Sequence, residues 1–249
     1  MGSWYNKIIE LDVVESTMDE ARKLGFVDEG TVLVARSQTG GRGRQGRKWY
    51  SPDGGLWFTI ILYPNNKANK SVLLTPTAAL AVCRGISITT GLSPTIKLLN
   101  DVYLRGKKVA GILIEMDVQG DTVNRAFVGV GVNANFNLDK LPADLKDKAT
   151  TLLHELGAEV NLKQLLTNIL KEFEELYDYF KKRQYAEILR QVKNSIYISK
   201  DLVKVHLING TCLVGMLEDL DDSGRLFLNI DKNRVILSLY NVERITKNP

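Results

Sequence analysis

The chain has 249 residues, 44% hydrophobic and 25% charged, with 33 basic against 29 acidic side chains and a net charge of +4. That length supports one or two domains with a sizeable core, and the composition excludes a disordered or fibrous chain. A surplus of +4 is too small to imply general nucleic-acid binding, and apolar runs such as Leu56–Leu62 fall far short of the roughly 20 residues a membrane span needs.

The N-terminus has no apolar signal region, and Asn6 makes Met1-Gly2 a poor myristoylation match. Cys83 and Cys212 are far apart and form no C-x-x-C, which suits a reducing cytoplasm and two core thiols. Lys7–Val14 reads as a strand. Thr17-Met18-Asp19-Glu20 reads as a capping box, with Thr17 as N-cap and Glu20 reaching back, before a short helix that stops at Gly25. Thr31–Ala35 is β-rich and leads into Arg36–Lys48, R-S-Q-T-G-G-R-G-R-Q-G-R-K. These thirteen residues hold five positive charges, four glycines and no acid, a composition suited to a polyanion. Ser51-Pro52-Asp53-Gly54-Gly55 is a turn and Leu56–Tyr63 a buried strand.

Leu73–Thr90 has helical spacing, ended by Gly91. Thr95–Leu98, Val102–Leu104 and Val109–Met116 read as strands, the last two joined at Arg105-Gly106-Lys107. Ala126–Val132 is a further strand. Apolar residues at i, i+3, i+4 and i+7 across Leu162–Phe180 predict a helix of about five turns. From Ser195 the pattern changes to five short strands: Leu202–Ile208, Thr211–Glu218, Arg225–Ile230, Arg234–Leu239 and Asn241–Ile245. A meander this short must curl to bury one face, so a small barrel is expected. The division predicts domains at 1–194 and 195–249.

Gly41-Arg-Gly43-Arg-Gln-Gly46 matches the dinucleotide fingerprint G-x-G-x-x-G literally, and it follows a strand. The fingerprint also needs a helix whose N-terminus faces the pyrophosphate, and R-K-W-Y-S-P-D-G-G is not helical. Gly129-Val-Gly131-Val-Asn-Ala fails for the same reason, and neither stretch is a P-loop. His154 and His206 lack metal-ligand spacing, and no Ser-His-Asp triad is supported.

Four segments carry unusual chemistry: Glu15-Ser16-Thr17, the basic loop ending in Trp49, Lys97-Leu-Leu-Asn100-Asp101 followed by Lys107-Lys108-Val-Ala-Gly111-Ile-Leu, and Gly129-Val-Gly131-Val-Asn133. Taken in order, EST, GRGRQGRKW, K-x-x-N-D, KKVAGIL and GVGVN resemble the biotin protein ligases over nearly the whole chain. Two departures stand out. Leu98-Leu99 replaces the family's Trp-Pro, which removes an aromatic wall, and Met18 replaces an Asn, which removes a polar contact at the biotin end.

The resemblance implies an α+β fold, a mixed β-sheet with flanking helices as in class II synthetases plus a small C-terminal SH3-like β-barrel. It implies ATP-dependent activation of biotin to biotinyl-AMP, with Mg2+, and transfer to a lysine of a biotin carboxyl carrier protein domain. It implies catalytic roles for Lys108, Arg44 and Asp101. Biotin is assigned to Ser16, Thr17, Gln38, Arg42, Gly43, Arg44, Lys108 and Gly111. The nucleotide is assigned to Arg42, Arg44, Arg47, Trp49, Asn100 and Asn133, and the metal ligands are left unassigned. Lys108 is the first choice for the fixed cation, because a compact ammonium can bridge a carboxylate and an α-phosphate. A four-glycine loop with five like charges is expected to be disordered when empty and to close on its ligands. No membrane is expected, and a homodimer is. The short stretch before Glu15 leaves no room for a DNA-binding helix-turn-helix, so no DNA partner is expected. Read as residues alone, Thr17 is a cap, Asn100-Asp101 a turn and Lys107-Lys108 a solvated hairpin edge. Two other functions stay open: an RNA-binding protein stacking bases on Trp49 and Tyr50, and a lipoate ligase.

Overall fold

The computed structural model describes residues 4–5, 7–97, 99–196, 202–221 and 224–247. Leu98, with its share of the Leu98-Leu99 departure and of the strand expected over Thr95–Leu98, lies outside them, as do residues 1–3 and 6 and part of the turn before Arg225. The strands are β1 Ile8–Val14, β2 Val32–Gln38, β3 Leu56–Leu62, β4 Asn66–Lys67, β5 Thr95–Lys97, β6 Asp101–Leu104, β7 Lys107–Gln119, β8 Thr122–Val132, β9 Leu202–Leu207, β10 Cys212–Leu220, β11 Arg225–Ile230, β12 Asn233–Ser238 and β13 Val242–Lys247. The helices are α1 Thr17–Lys23, α2 Ala68–Ser71, α3 Leu74–Thr90, α4 Ala143–Lys146, α5 Leu152–Leu156, α6 Leu162–Lys181 and α7 Tyr185–Lys193.

The larger sheet runs β1-β2-β3-β8-β7-β6-β5, with β4 paired to β8. It is mixed, because β1 and β2 are parallel and the other pairs antiparallel. Period-2 alternation assigns its two faces. Phe58, Ile60, Val128, Val130, Ala110 and Ile112 face the core, which α3 covers with α6 packed on α3. Gly85 brings these two helices together, since a Cβ there would lie 2.8 Å from the Ile169 Cα. Gly91 ends α3 at φ 73°, a conformation that costs glycine little. The segment Ala68–Thr90 is long and apolar enough to pass for a membrane span, yet 67% of its apolar window is buried inside the protein. Amphipathic α6 ends at Lys181, one residue beyond the predicted range.

The opposite face carries α1, which buries Met18 and Ala21 against Leu33, Ile61 and Phe127. The smaller sheet is antiparallel and curled, in the order β12-β11-β10-β9-β13. Its inward residues Val203, Val205, Leu226 and Leu228 join the main core, and Lys70 lies 3.5 Å above the Tyr240 ring where the two sheets meet. The overall class is therefore the α+β fold expected, with a mixed sheet, flanking helices and an SH3-like C-terminal module.

Several local readings need correction. The N-cap of α1 is Ser16, whose hydroxyl accepts from the Met18 amide, while Glu20 pairs with Lys23 instead of reaching back. The capping box was therefore one residue out, and Thr17 is free for other bonds. Cys83 is buried, its thiol pushed up to about 12 by desolvation, but Cys212 is exposed on β10 and not in a core. Strands β7 and β8 run further than predicted, to Gln119 and from Thr122, because their mostly polar ends give too little apolar alternation to reveal them.

A glycine-floored candidate active site

Sheet register builds the floor. Asp101 pairs with Gly111, Gly111 with Gly131, and Gly131 with Trp57. One row over, Leu113 pairs with Gly129, and Gly129 with Thr59. Three glycines thus leave a trough in the face that α1 overlooks. It is lined by Ser16, Thr17, Met18, Gln38, Arg42, Arg44, Trp49, Lys108, Gly111, Gly129 and Gly131 among others. Met18 Sδ fills the space over Gly129, where a Cβ would lie 2.7 Å away.

One end of the trough is a polar chain. Thr59 Oγ1 donates to Thr17 Oγ1 at 2.9 Å, and Thr17 Oγ1 and its amide both donate to Gln38 Oε1. Gln38 Nε2 then donates to Ser51 Oγ at 2.8 Å. Ser16, Thr17, Ser51 and Thr59 are all buried, so this wall is held in place by its own bonds.

The basic stretch forms a small hairpin over the trough. Trp49 N donates to Gly41 O, Arg42 bridges to Lys48, and Gly43 N donates to Arg47 O. Its tip, Arg44–Gly46, is one 3-10 turn, so no helix follows the glycines and the dinucleotide reading is removed. The charges divide. Arg36 is outside the site, between Asp12 and Asp53. Arg42 holds Asp19 through both its terminal nitrogens, and that hydrogen bond keeps the Asp19 carboxyl below its usual range against the cost of burial. Arg44 donates to Asn100 Oδ1 at 2.9 Å and to the Glu243 carbonyl of the C-terminal module at 3.1 Å. Arg47 and Lys48 are exposed beside a wider cleft of about 450 Å³, which Tyr103, Asn133, Lys148, Ile245 and Thr246 also line.

Trough and cleft meet at Lys108. Its ammonium sits 2.6 Å from Asp101 Oδ1 and 5.0 Å above the Trp49 ring. Asn100 Nδ2 donates to the same Asp101 oxygen. Trp49 lies across Gly111 and Gly131, with its Nε1 buried and, among the described residues, unpartnered. Nearby Tyr103 has its hydroxyl pushed up to about 12, first by burial and then by the Asp101 charge.

All thirteen residues singled out in the sequence line the trough, the cleft or both. Asn133 is buried, its side-chain amide donating to the Thr150 carbonyl. Leu99, half-buried, turns at φ 68° immediately before Asn100. Sequence reading missed Asp19, Ser51 and Thr59. Each looked like a turn, cap or strand residue, and only the fold brings them to the loop.

A model of the "Biotin/lipoate A/B protein ligase family" matches residues 10–133. The "Bifunctional ligase/repressor BirA" of Bacillus subtilis is 35% identical over 240 residues, which cover 95% of this chain and 73% of that protein. The "Biotin--[acetyl-CoA-carboxylase] ligase" of Mycobacterium tuberculosis is 30% identical, with 92% and 86% covered. The structure of biotin protein ligase from Aquifex aeolicus in complex with biotin and ATP matches at a TM-score of 0.82 and 29% identity, covering 98% of this chain and all of that one. The chain belongs to the biotin/lipoate A/B protein ligase family. Within that family it is a biotin protein ligase, an ATP-dependent enzyme.

Proposed function

We propose that the trough holds biotin, the cleft holds ATP, and Lys108 stands where the two reacting groups meet. The observation that carries this is the continuity of the two spaces, which share Gly43, Arg44, Trp49, Asn100, Asp101 and Lys108. A biotin carboxylate oxygen attacks the α-phosphorus. An O–P bond forms, the α–β anhydride bond breaks, and pyrophosphate leaves with the electron pair. The amine of a carrier lysine then attacks the acyl carbon, loses a proton and expels AMP. Both anions repel each other on approach, so fixed positive charge at the junction lowers the barrier.

In this reading Ser16, Thr17 and Gln38 hold the ureido ring, and Gly111 lets Trp49 lie close to the sheet beside the chain of biotin. The Arg42–Arg44 backbone completes that wall. Arg44 and Arg47 meet the phosphates, Trp49 covers the joined ligands, and Asn100 and Asn133 face the nucleotide. Among the described residues no group of three or more His, Cys, Asp or Glu side chains could hold a metal. Mg2+ needs only one or two carboxylates beside substrate phosphates, so Asp101 is the residue placed to meet an ATP-bound ion. The two sheets are read as domains 1–194 and 195–249. The β7 edge from Leu113 to Gln119 has no strand on its β6 side among the described residues, which suits an edge-to-edge homodimer. A cytoplasmic location suits the exposed Cys212 thiol.

The test is modification of a biotin carboxyl carrier domain. With ATP and biotin, one lysine should be acylated. With lipoate in place of biotin, the carrier should stay unmodified. Equal use of lipoate would overturn the biotin assignment of the trough.

A further inference from the structure

The loop's charges are not all turned toward ligands. Arg42 presents its guanidinium to Asp19 end-on, with Nη1 2.5 Å from Oδ2 and Nη2 2.7 Å from Oδ1. Paired contacts of this kind fix direction as well as distance. Asp19 is the third residue of α1, so its backbone is rigidly tied to Ser16 and Thr17, which line the trough. Glu115 on β7 flanks the pair, 3.6 Å from Arg42 and itself held by Arg22 at 2.9 Å. Arg42 stands between Gly41 and Gly43, which have no side chains to hold the hairpin down. Its far side is clipped separately, by Arg44 on Asn100 and the Glu243 carbonyl.

We infer that Asp19 is a positioning residue for the ligase reaction, anchoring the near arm of the glycine-rich loop to α1 through Arg42 and so holding the loop closed over the activated acid. The inference rests on the ligase reading above. Asp19 itself touches no reacting atom; it sets how long the loop stays shut. Loss of the anchor therefore affects capture and retention, not the chemical step.

The experiment compares wild type with Asp19→Asn, which keeps the shape and removes the charge. The variant should release biotinyl-AMP about fivefold to tenfold faster, the range of a charge-assisted bond partly open to water. The KM for biotin should rise by a similar factor while kcat at saturation changes less than about twofold. Asp19→Glu, which keeps the charge, should preserve most of the retention that Asp19→Asn loses. Loop proteolysis gives a second readout: at saturating biotin plus ATP the Asp19→Asn loop should be cleaved about fivefold to tenfold faster than the wild-type loop. Unchanged release and KM, or a fall in kcat alone, would overturn the assignment of Asp19. Absence of biotin-dependent adenylation in the wild type would instead overturn the ligase reading, so the two failures are distinct.

Discussion

Lys108→Ala should slow biotin-dependent adenylate formation by about 10²–10³-fold, the cost of removing one preorganised electrostatic contact. The side chain is 26% exposed, fixed by Asp101 below and the Trp49 face above, so its charge needs little reorganisation when the anions arrive. Thermal stability should change little, since Asn100 still donates to Asp101 and a partly exposed ion pair is worth on the order of 1 kcal/mol. Lys108→Arg should recover only part of the rate, because a planar fork does not replace a compact ammonium between two oxygens. Single-turnover formation of biotinyl-AMP is the measurement. A variant within threefold of wild type would remove Lys108 from the reaction.

Gly131→Ala should cost about 10²-fold in kcat/KM for adenylation, the penalty expected when a catalytic group is displaced by roughly 1 Å. The added Cβ would overlap the Trp49 indole, lying 2.7 Å from Cε2 and 3.0 Å from Cζ2. Trp49 cannot retreat along the chain, because its amide is bonded to the Gly41 carbonyl and its ring edge meets Trp57. The ring must tilt away from Gly131 and take the Lys108 contact with it. Gly129→Ala provides a comparison, since its new methyl meets the flexible end of Met18 and should be tolerated better. Equal, near-wild-type kinetics for both variants would show that the floor need not be flat.

Much of this was legible in the chain because the signals were local. α3, α6 and the C-terminal strands follow from periodicity and turn residues, and Arg105-Gly106, both at positive φ, make the hairpin that presents Lys108. The motif residues line one trough and the cleft that adjoins it. What could not be read were pairings between distant segments with no periodic trace. Asp19 and Arg42 are 23 residues apart, and each has an ordinary local explanation, one as a first-turn acid and one as a loop cation. Thr17 looked like a cap because Ser16 and Thr17 carry the same group, and only backbone geometry shows that Ser16 caps while Thr17 turns to Gln38. The parallel β1–β2 pair and helix α7 were likewise invisible. A parallel register depends on the α1 crossover, and α7 is a short amphipathic run behind a stronger one.

Three glycines and one lysine between two spaces form the centre of the proposed chemistry, joining a carboxylic acid to a nucleotide. Biotin-dependent exchange of labelled pyrophosphate into ATP, with no carrier present, tests that directly. The geometry predicts rapid exchange with biotin and ATP together and almost none when biotin is omitted. Exchange that proceeds equally without biotin, or fails with both ligands bound, would contradict it.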